Sequence, residues 1–378
     1  MSSLPSGPAR PTHKLLGLEV LRLFAALVVV LWHYQHFAFV GEFAAPSFSR
    51  SYEPFYRLLW PFYEYGYLGV EVFWCISGYI FFWKYSTRIA DGSVGAWQFL
   101  VLRFSRLYPL HLATLLLVAA LQGACFLRNG WFLVYQKNDL PHFLLQLPMA
   151  SNWLLRSGYG FNGPIWSISL EVVVYFLFFV GIRLFGPSLL LSAGMIAVCG
   201  VAKYVNNVEP IFLCIAFFYA GGIAASVGRW PAVQAGRRLF AFLAVAFLVA
   251  APVAVVALKL WAHNPFRLLF LLAYVPVLLF FLTEYFKPGA ASARWIEVGG
   301  NLTYASYLSQ FPIQLILVLG FSLAGRKIPM GHPAFFLFFV GTVFLVAFFV
   351  YRYFEAPAMK WIRDRARALR GSTHTGSK

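Results

Sequence analysis

The stretch Leu18-Glu19-Val20-Leu21-Arg22-Leu23-Phe24-Ala25-Ala26-Leu27-Val28-Val29-Val30-Leu31-Trp32-His33 decides how the whole chain is read. From Leu23 to Trp32 it carries no charge, and Arg10, His13 and Lys14 precede it. A secretory signal also begins with a positive flank and an apolar run. No small-x-small cleavage site follows cleanly here, so the run is expected to remain as a first membrane helix. The same kind of run recurs along the chain. With the first at 18–36, the runs centre on 66–85, 99–121, 166–185, 188–203, 210–227, 239–260, 266–284, 301–324 and 333–354, each bounded by charge, Pro or Gly.

Composition leaves no soluble alternative. Of 378 residues, 61% are hydrophobic and 11% charged, with a mean hydropathy of +0.71, whereas a soluble domain holds about 25% charged residues. A crossing takes ~20 residues, so the expected fold is all-α, a polytopic integral membrane protein of about ten transmembrane helices. Only Gly186-Pro187 separates 166–185 from 188–203. The net charge of +17, from 30 Lys and Arg against 13 Asp and Glu, would suggest nucleic acid in a soluble protein. Here it sorts by side of the membrane. With the N-terminus placed in the cytoplasm, 19 Lys and Arg fall inside and 10 outside, with Arg22 left within the first span. Both termini are therefore expected in the cytoplasm of a multi-pass bacterial inner (plasma) membrane protein, its cations facing anionic membrane lipid, with no nucleic acid partner. Residues 1–14 read as a cytoplasmic tail, 15–357 as the membrane domain and 358–378 as a basic cytoplasmic tail, the ends 1–12 and 371–378 being expected to fray.

Two outer connections, 37–65 and 122–165, are long, and long loops in compact proteins are usually functional or disordered. Phe55, Tyr56, Trp60, Phe62, Tyr63, Tyr65 and Tyr67 suit stacking on sugar rings, although an interfacial belt is the commoner use of such residues. Cys75, Cys125, Cys199 and Cys214 lack paired spacing, so neither disulfides nor a metal site are expected.

Charge inside a span is costly and marks candidate function. Arg22 and His33 lie eleven residues apart, on one helix face and ~16 Å apart along the axis. Glu71 and Glu171 each follow soon after the outer start of their span, at about the depth expected for His33. Arg103 and Arg106 sit near the inner start of the third span, at the depth of Arg22. The pattern predicts two layers, three arginines within and one histidine with two carboxylates without. Guanidinium groups suit phosphate, and a histidine beside a carboxylate suits a general base. Snorkelling to lipid for the arginines, a carbonyl-bonded core histidine and structural carboxylate–arginine pairs are the plainer uses of the same residues.

In order and spacing, these segments resemble the membrane acyltransferases called acyltransferase-3, which O-acetylate cell-surface and secreted glycans. The opening helix with its Arg22 and His33 is similar to theirs, as are Gly66-Tyr67-Leu68-Gly69-Val70-Glu71-Val72-Phe73 ending in Ser77-Gly78-Tyr79 and the two-arginine motif Arg103-Phe104-Ser105-Arg106-Leu107-Tyr108-Pro109. So are Pro164-Ile165-Trp166-Ser167-Ile168-Ser169-Leu170-Glu171 with Tyr175, and Tyr351 through Pro357 with Glu355. One departure stands out. Where the family often has Tyr-Leu-x-His-x-Pro, Tyr307-Leu308-Ser309-Gln310-Phe311-Pro312 puts Gln310 at the histidine position, which argues against acid–base chemistry there.

The resemblance implies acetyl- or acyl-coenzyme A (acetyl-CoA) entering from the cytoplasm as donor, and a hydroxyl of a glycan or lipid-linked sugar as acceptor. Arg22, Arg103 and Arg106 are then expected to bind the donor's phosphates. His33 is expected to act as general base, or as a nucleophile forming an acyl-imidazole, with Glu71 orienting it. Trp166, Glu171, Tyr307 and Gln310 are expected to bind substrate or to serve structure, and Tyr304 with Tyr307 to bound the acceptor path. Ser167 is expected to cap a helix and Ser77-Gly78 to be a small-residue helix contact. Some relatives add an outer hydrolase-like domain. This chain is expected to have no room for one, leaving acceptor binding to its membrane domain, its outer loops or a separate partner. The rival class is a transporter or flippase for an anionic lipid-linked sugar, but no inverted repeat supports it.

Overall fold

The structure is a computed structural model and describes residues 15–153, 158–206 and 210–375. The expected N-terminal tail, with Arg10, His13 and Lys14, lies outside the described residues, as do residues 376–378. Lipid offers no partner for a backbone N–H or C=O, so the apolar runs close their hydrogen bonds internally as helices. In chain order these are α1 (Leu16–His33), α2 (Tyr56–Tyr65), α3 (Gly69–Lys84), α4 (Ser86–Ala90), α5 (Ala96–Asn129), α6 (Leu140–Gln146), α7 (Ile165–Phe185) and α8 (Leu189–Asn206). There follow α9 (Pro210–Val227), α10 (Pro231–Ala235), α11 (Arg237–Ala257), α12 (Asn264–Tyr285), α13 (Ala290–Leu323), α14 (Pro333–Val350) and α15 (Ala356–Thr375).

Among the described residues, 9 helical stretches are long and apolar enough to cross a membrane, and a shorter one, Leu189–Ala202, stands where the fifth span was expected. The protein is an all-α polytopic membrane protein. The basic C-terminal segment is no loose tail: a π-helical turn, Tyr351–Glu355, joins α14 to α15, which continues as helix through Thr375. That helix includes residues 371–375, the start of the end expected to fray.

Packing concentrates on α3 and α9, the most extensive helix pair. It depends on backbone proximity. A Cβ on Gly78 would overlap the carbonyl oxygen of Phe218, and one on Gly221 would overlap that of Cys75. The expected small-residue contact at Ser77-Gly78 is thus a packing contact at Gly78. Phe81, Tyr175, Phe178 and Phe218 interlock around it, Phe81 stacking on Tyr175 at 4.4 Å. The long helices α5 and α13 carry Pro109 and Pro312 in their interiors. Pro109 lacks the N–H that would bond the Ser105 carbonyl, so the break in the hydrogen-bond ladder falls within the arginine motif.

Among the described residues, the long connections 37–65 and 122–165 are folded rather than loose. Residues 39–44 form a two-stranded ribbon, β1 (Phe39–Val40) and β2 (Phe43–Ala44), with Phe39 opposite Ala44 and Val40 opposite Phe43. The second connection is tied to it by the Val134 N–H donating to the Gly41 carbonyl at 2.8 Å.

Candidate active site

Helices α1, α3, α5, α7, α13 and α15 enclose a cavity of about 250 Å³. Arg22, Arg103 and Arg106 all line it, so the structure brings together the three arginines expected to act jointly. Arg363, from α15, lines it as a fourth.

The four guanidinium groups differ in what neutralises them. Arg22 donates to the Glu19 carboxylate at 3.1 Å, one turn away on α1. Arg106 pairs with Glu355, whose side chain is buried on the π-helical turn, and lies over the Tyr304 ring at 5.4 Å. Arg103 donates to the Tyr85 hydroxyl at 2.7 Å and lies over the rings of Phe81 and Tyr85 at 4.8 and 5.0 Å. Its Nε is buried without a partner. Arg363 donates through Nε to the Ser105 hydroxyl at 3.0 Å. Among the described residues, neither Arg103 nor Arg363 meets a carboxylate.

The two expected layers do not separate as the sequence predicts. Glu171 lines the arginine cavity, because it lies six residues beyond the start of α7, about 9 Å along the helix. The Tyr175 hydroxyl donates to its Oε2 at 2.9 Å, and its Oε1 is buried without a partner. Ser167 also lines the cavity. It is not the expected N-cap: that position is Pro164, and Ser167 sits within the first turn, its hydroxyl 3.3 Å from the Pro164 carbonyl and 2.9 Å from the Tyr307 hydroxyl.

His33 and Glu71 are buried but do not line this cavity, and among the described residues no hydrogen bond or ion pair joins them. The imidazole is oriented by its own helix. Nδ1 stands 2.8 Å from the Val29 carbonyl, which can only accept, so Nδ1 carries the proton and Nε2 keeps its lone pair. The neighbour of His33 is a second imidazole, His36, with ring centroids 4.9 Å apart. Gln314 spans both, its Nε2 donating to the His33 carbonyl at 2.8 Å and its Oε1 lying 3.2 Å from His36 Nδ1. That amide is fixed by the carbonyl it meets, so His36 Nδ1 is also the donor.

Of the remaining expected residues, Trp166 packs edge-on against Trp74 at 5.8 Å and Tyr159 at 6.0 Å. Gln310 is buried, donates to the Tyr307 carbonyl at 3.2 Å and leaves Oε1 without a partner. Tyr304 and Tyr307 both line the cavity, Tyr304 donating to the Leu107 carbonyl at 2.6 Å.

Tyr135, from the connection 122–165, packs among these groups. Its ring lies 5.9 Å from His36 and 4.7 Å from Phe311, and a Cβ on Gly163 would fall inside it. The sequence reading missed Arg363, His36, Gln314 and Tyr135. His36 alone carried a readable signal, being three residues from His33 and so on a neighbouring face.

The acyltransferase-domain model of the acyltransferase-3 family matches residues 15–352. Among curated proteins, "Protein 2 in picA locus" of Rhizobium radiobacter is 30% identical over 177 residues, which cover 43% of this chain and 80% of that protein. "Acyltransferase MdmB" of Streptomyces mycarofaciens is 29% identical over 173 residues, covering 45% of this chain and 40% of that protein. No solved structure matches.

Proposed function

The chain belongs to the acyltransferase-3 family, a membrane acyltransferase by that membership and by its helices, and on that footing we propose that it transfers an acetyl group from acetyl-CoA to a glycan hydroxyl. The observation that carries this reading is the cavity with four arginines, two of which have no carboxylate ion-pair partner among the described residues. A desolvated guanidinium without a counter-ion favours an incoming phosphate, which its planar fork can grip at two oxygens. The donor fits in a second respect. From Arg22 at the cavity to His33 is ~16 Å along α1, a span that an extended pantetheine arm bridges.

In this reading, His33 Nε2 removes the proton of the acceptor hydroxyl as its oxygen attacks the thioester carbonyl. The C–S bond breaks, and the same proton passes from His33 to the departing thiolate. Val29 holds the imidazole in the required tautomer without a carboxylate, so Glu71 acts at most on the surroundings of the ring. We place the arginine end in the cytoplasm and the histidine end toward the outer face of a bacterial inner membrane, following the positive-inside count.

Purified full-length protein in nanodiscs should bind labelled acetyl-CoA saturably, and the surface glycans of a deletion strain should lack an acetyl mass that returns on complementation. Absence of donor binding by the wild-type protein overturns the reading and favours transport of an anionic lipid-linked sugar.

A further inference from the structure

The cavity of about 250 Å³ holds the arginines assigned above to the donor's phosphates, while His33, assigned to its thioester, lies outside the lining, so the donor must extend beyond this space. A second recess, of about 110 Å³, opens between the start of α5 and the middle of α15, and Arg363 lines both spaces. Its other walls include Trp97, Gln98, Leu102 and Arg367. Trp97 is 51% exposed, an indole left open beside a basic helix. Among the described residues, Arg367 reaches only an exposed pair with Asp364 at 3.4 Å. The helix that supplies Arg363 and Arg367 lies beyond residue 352, where the family match ends.

We propose that this recess is a nucleotide subsite, which takes the adenosine 3′-phosphate end of coenzyme A. Arg363, braced by Ser105 at 3.0 Å, stands at the boundary and meets the diphosphate. The purine stacks on Trp97, since a largely apolar recess with room for one planar base suits a ring with a π-face. Arg367 exchanges Asp364 for the 3′-phosphate, a weak exposed pair being easily given up. The subsite rests on the donor assignment above and deepens it: α15 becomes part of the donor site.

The test measures binding to full-length protein in nanodiscs for three donors: acetyl-CoA, acetyl-3′-dephospho-CoA and acetyl-4′-phosphopantetheine, the last by displacement of labelled acetyl-CoA. Trp97→Ala should weaken both nucleotide donors about 5- to 150-fold, the range one base–aromatic stack supplies, and leave acetyl-4′-phosphopantetheine unchanged. Trp97→Phe should restore most of the loss. Arg367→Ala should abolish the affinity difference between acetyl-CoA and its 3′-dephospho form. If Trp97→Ala weakens all three donors alike, or none, the subsite is wrong while the donor assignment stands. Wild-type protein that binds none of the three overturns both.

Discussion

Arg103→Ala is the most direct perturbation of the donor cavity. The guanidinium donates to Tyr85 at 2.7 Å and lies over the Phe81 and Tyr85 rings, with a buried Nε unpartnered and, among the described residues, no ion pair to a carboxylate, although Glu171 lines the same cavity. Removing it costs the fold the ring contacts, about 0.5–2 kcal/mol. A bound phosphate loses a charge-assisted hydrogen bond of about 1.5–3 kcal/mol, which raises the acetyl-CoA Kd about 10- to 150-fold. The two effects separate in measurement: thermal unfolding reads the first, and calorimetric titration of nanodisc-embedded protein reads the second. Arg103→Lys should recover part of the affinity, keeping the charge but losing the fork. Acetyl-pantetheine, which has no phosphate, should lose nothing. Equal weakening of acetyl-CoA and acetyl-pantetheine, or an unchanged Kd for both, refutes the phosphate role and leaves Arg103 a packing residue.

His33→Gln should lower kcat about 100- to 10,000-fold, the usual worth of a general base, with donor Kd unaltered; near-normal turnover in a labelled-acetyl assay removes the imidazole from the chemistry. Gly78→Ala should destabilise the protein by about 1–3 kcal/mol through forced separation of α3 from α9, visible as a lower Tm, and an unshifted Tm would contradict the close packing. Outside the membrane segments, burial pushes the Glu53 carboxyl up to about 8 from 4.5, with Arg50 opposing and Glu64 adding to the shift. The folded state then holds this proton where the unfolded state has lost it, so stability falls as pH rises from 4.5 to about 8. Glu53→Gln should flatten that part of the pH–stability curve, and an identical slope in the variant would show that Glu53 does not cause it.

Much of the helical framework was readable because lipid enforces a simple rule, that an apolar run must become a helix. The joint placement of Arg22, Arg103 and Arg106 was readable for a related reason: span direction converts position along the chain into depth. What that scheme lacked was rotation about each helix and the contributions of distant segments. Depth alone puts Glu171 in the outer layer, yet it lines the arginine cavity. Arg363 was hidden by the positive-inside count, which accounts for any cytoplasmic arginine without asking where its side chain goes. Gln314 meets His36 across 278 residues of chain, a pairing that no local pattern encodes.

The distribution of carboxylates around the cavity argues that the unpaired arginines are kept for a ligand. A charge held away from water is costly unless paired, and this chain has the means to pair them: Glu19 serves Arg22, and Glu355 serves Arg106. Arg103 receives instead a hydroxyl and ring faces, and Arg363 a hydroxyl, which orient a guanidinium without cancelling its charge. Had the cluster served only to join α5 to α15, one more carboxylate would have stabilised the joint. Among the described residues the one carboxylate that lines the cavity, Glu171, keeps Oε1 unpartnered and bonds Tyr175 rather than closing on Arg103. A cavity whose four arginines outnumber its carboxylate, with an acceptor oxygen left free, suits a ligand that is anionic at one end and carries N–H donors further along, and a pantetheine thioester with its diphosphate has both.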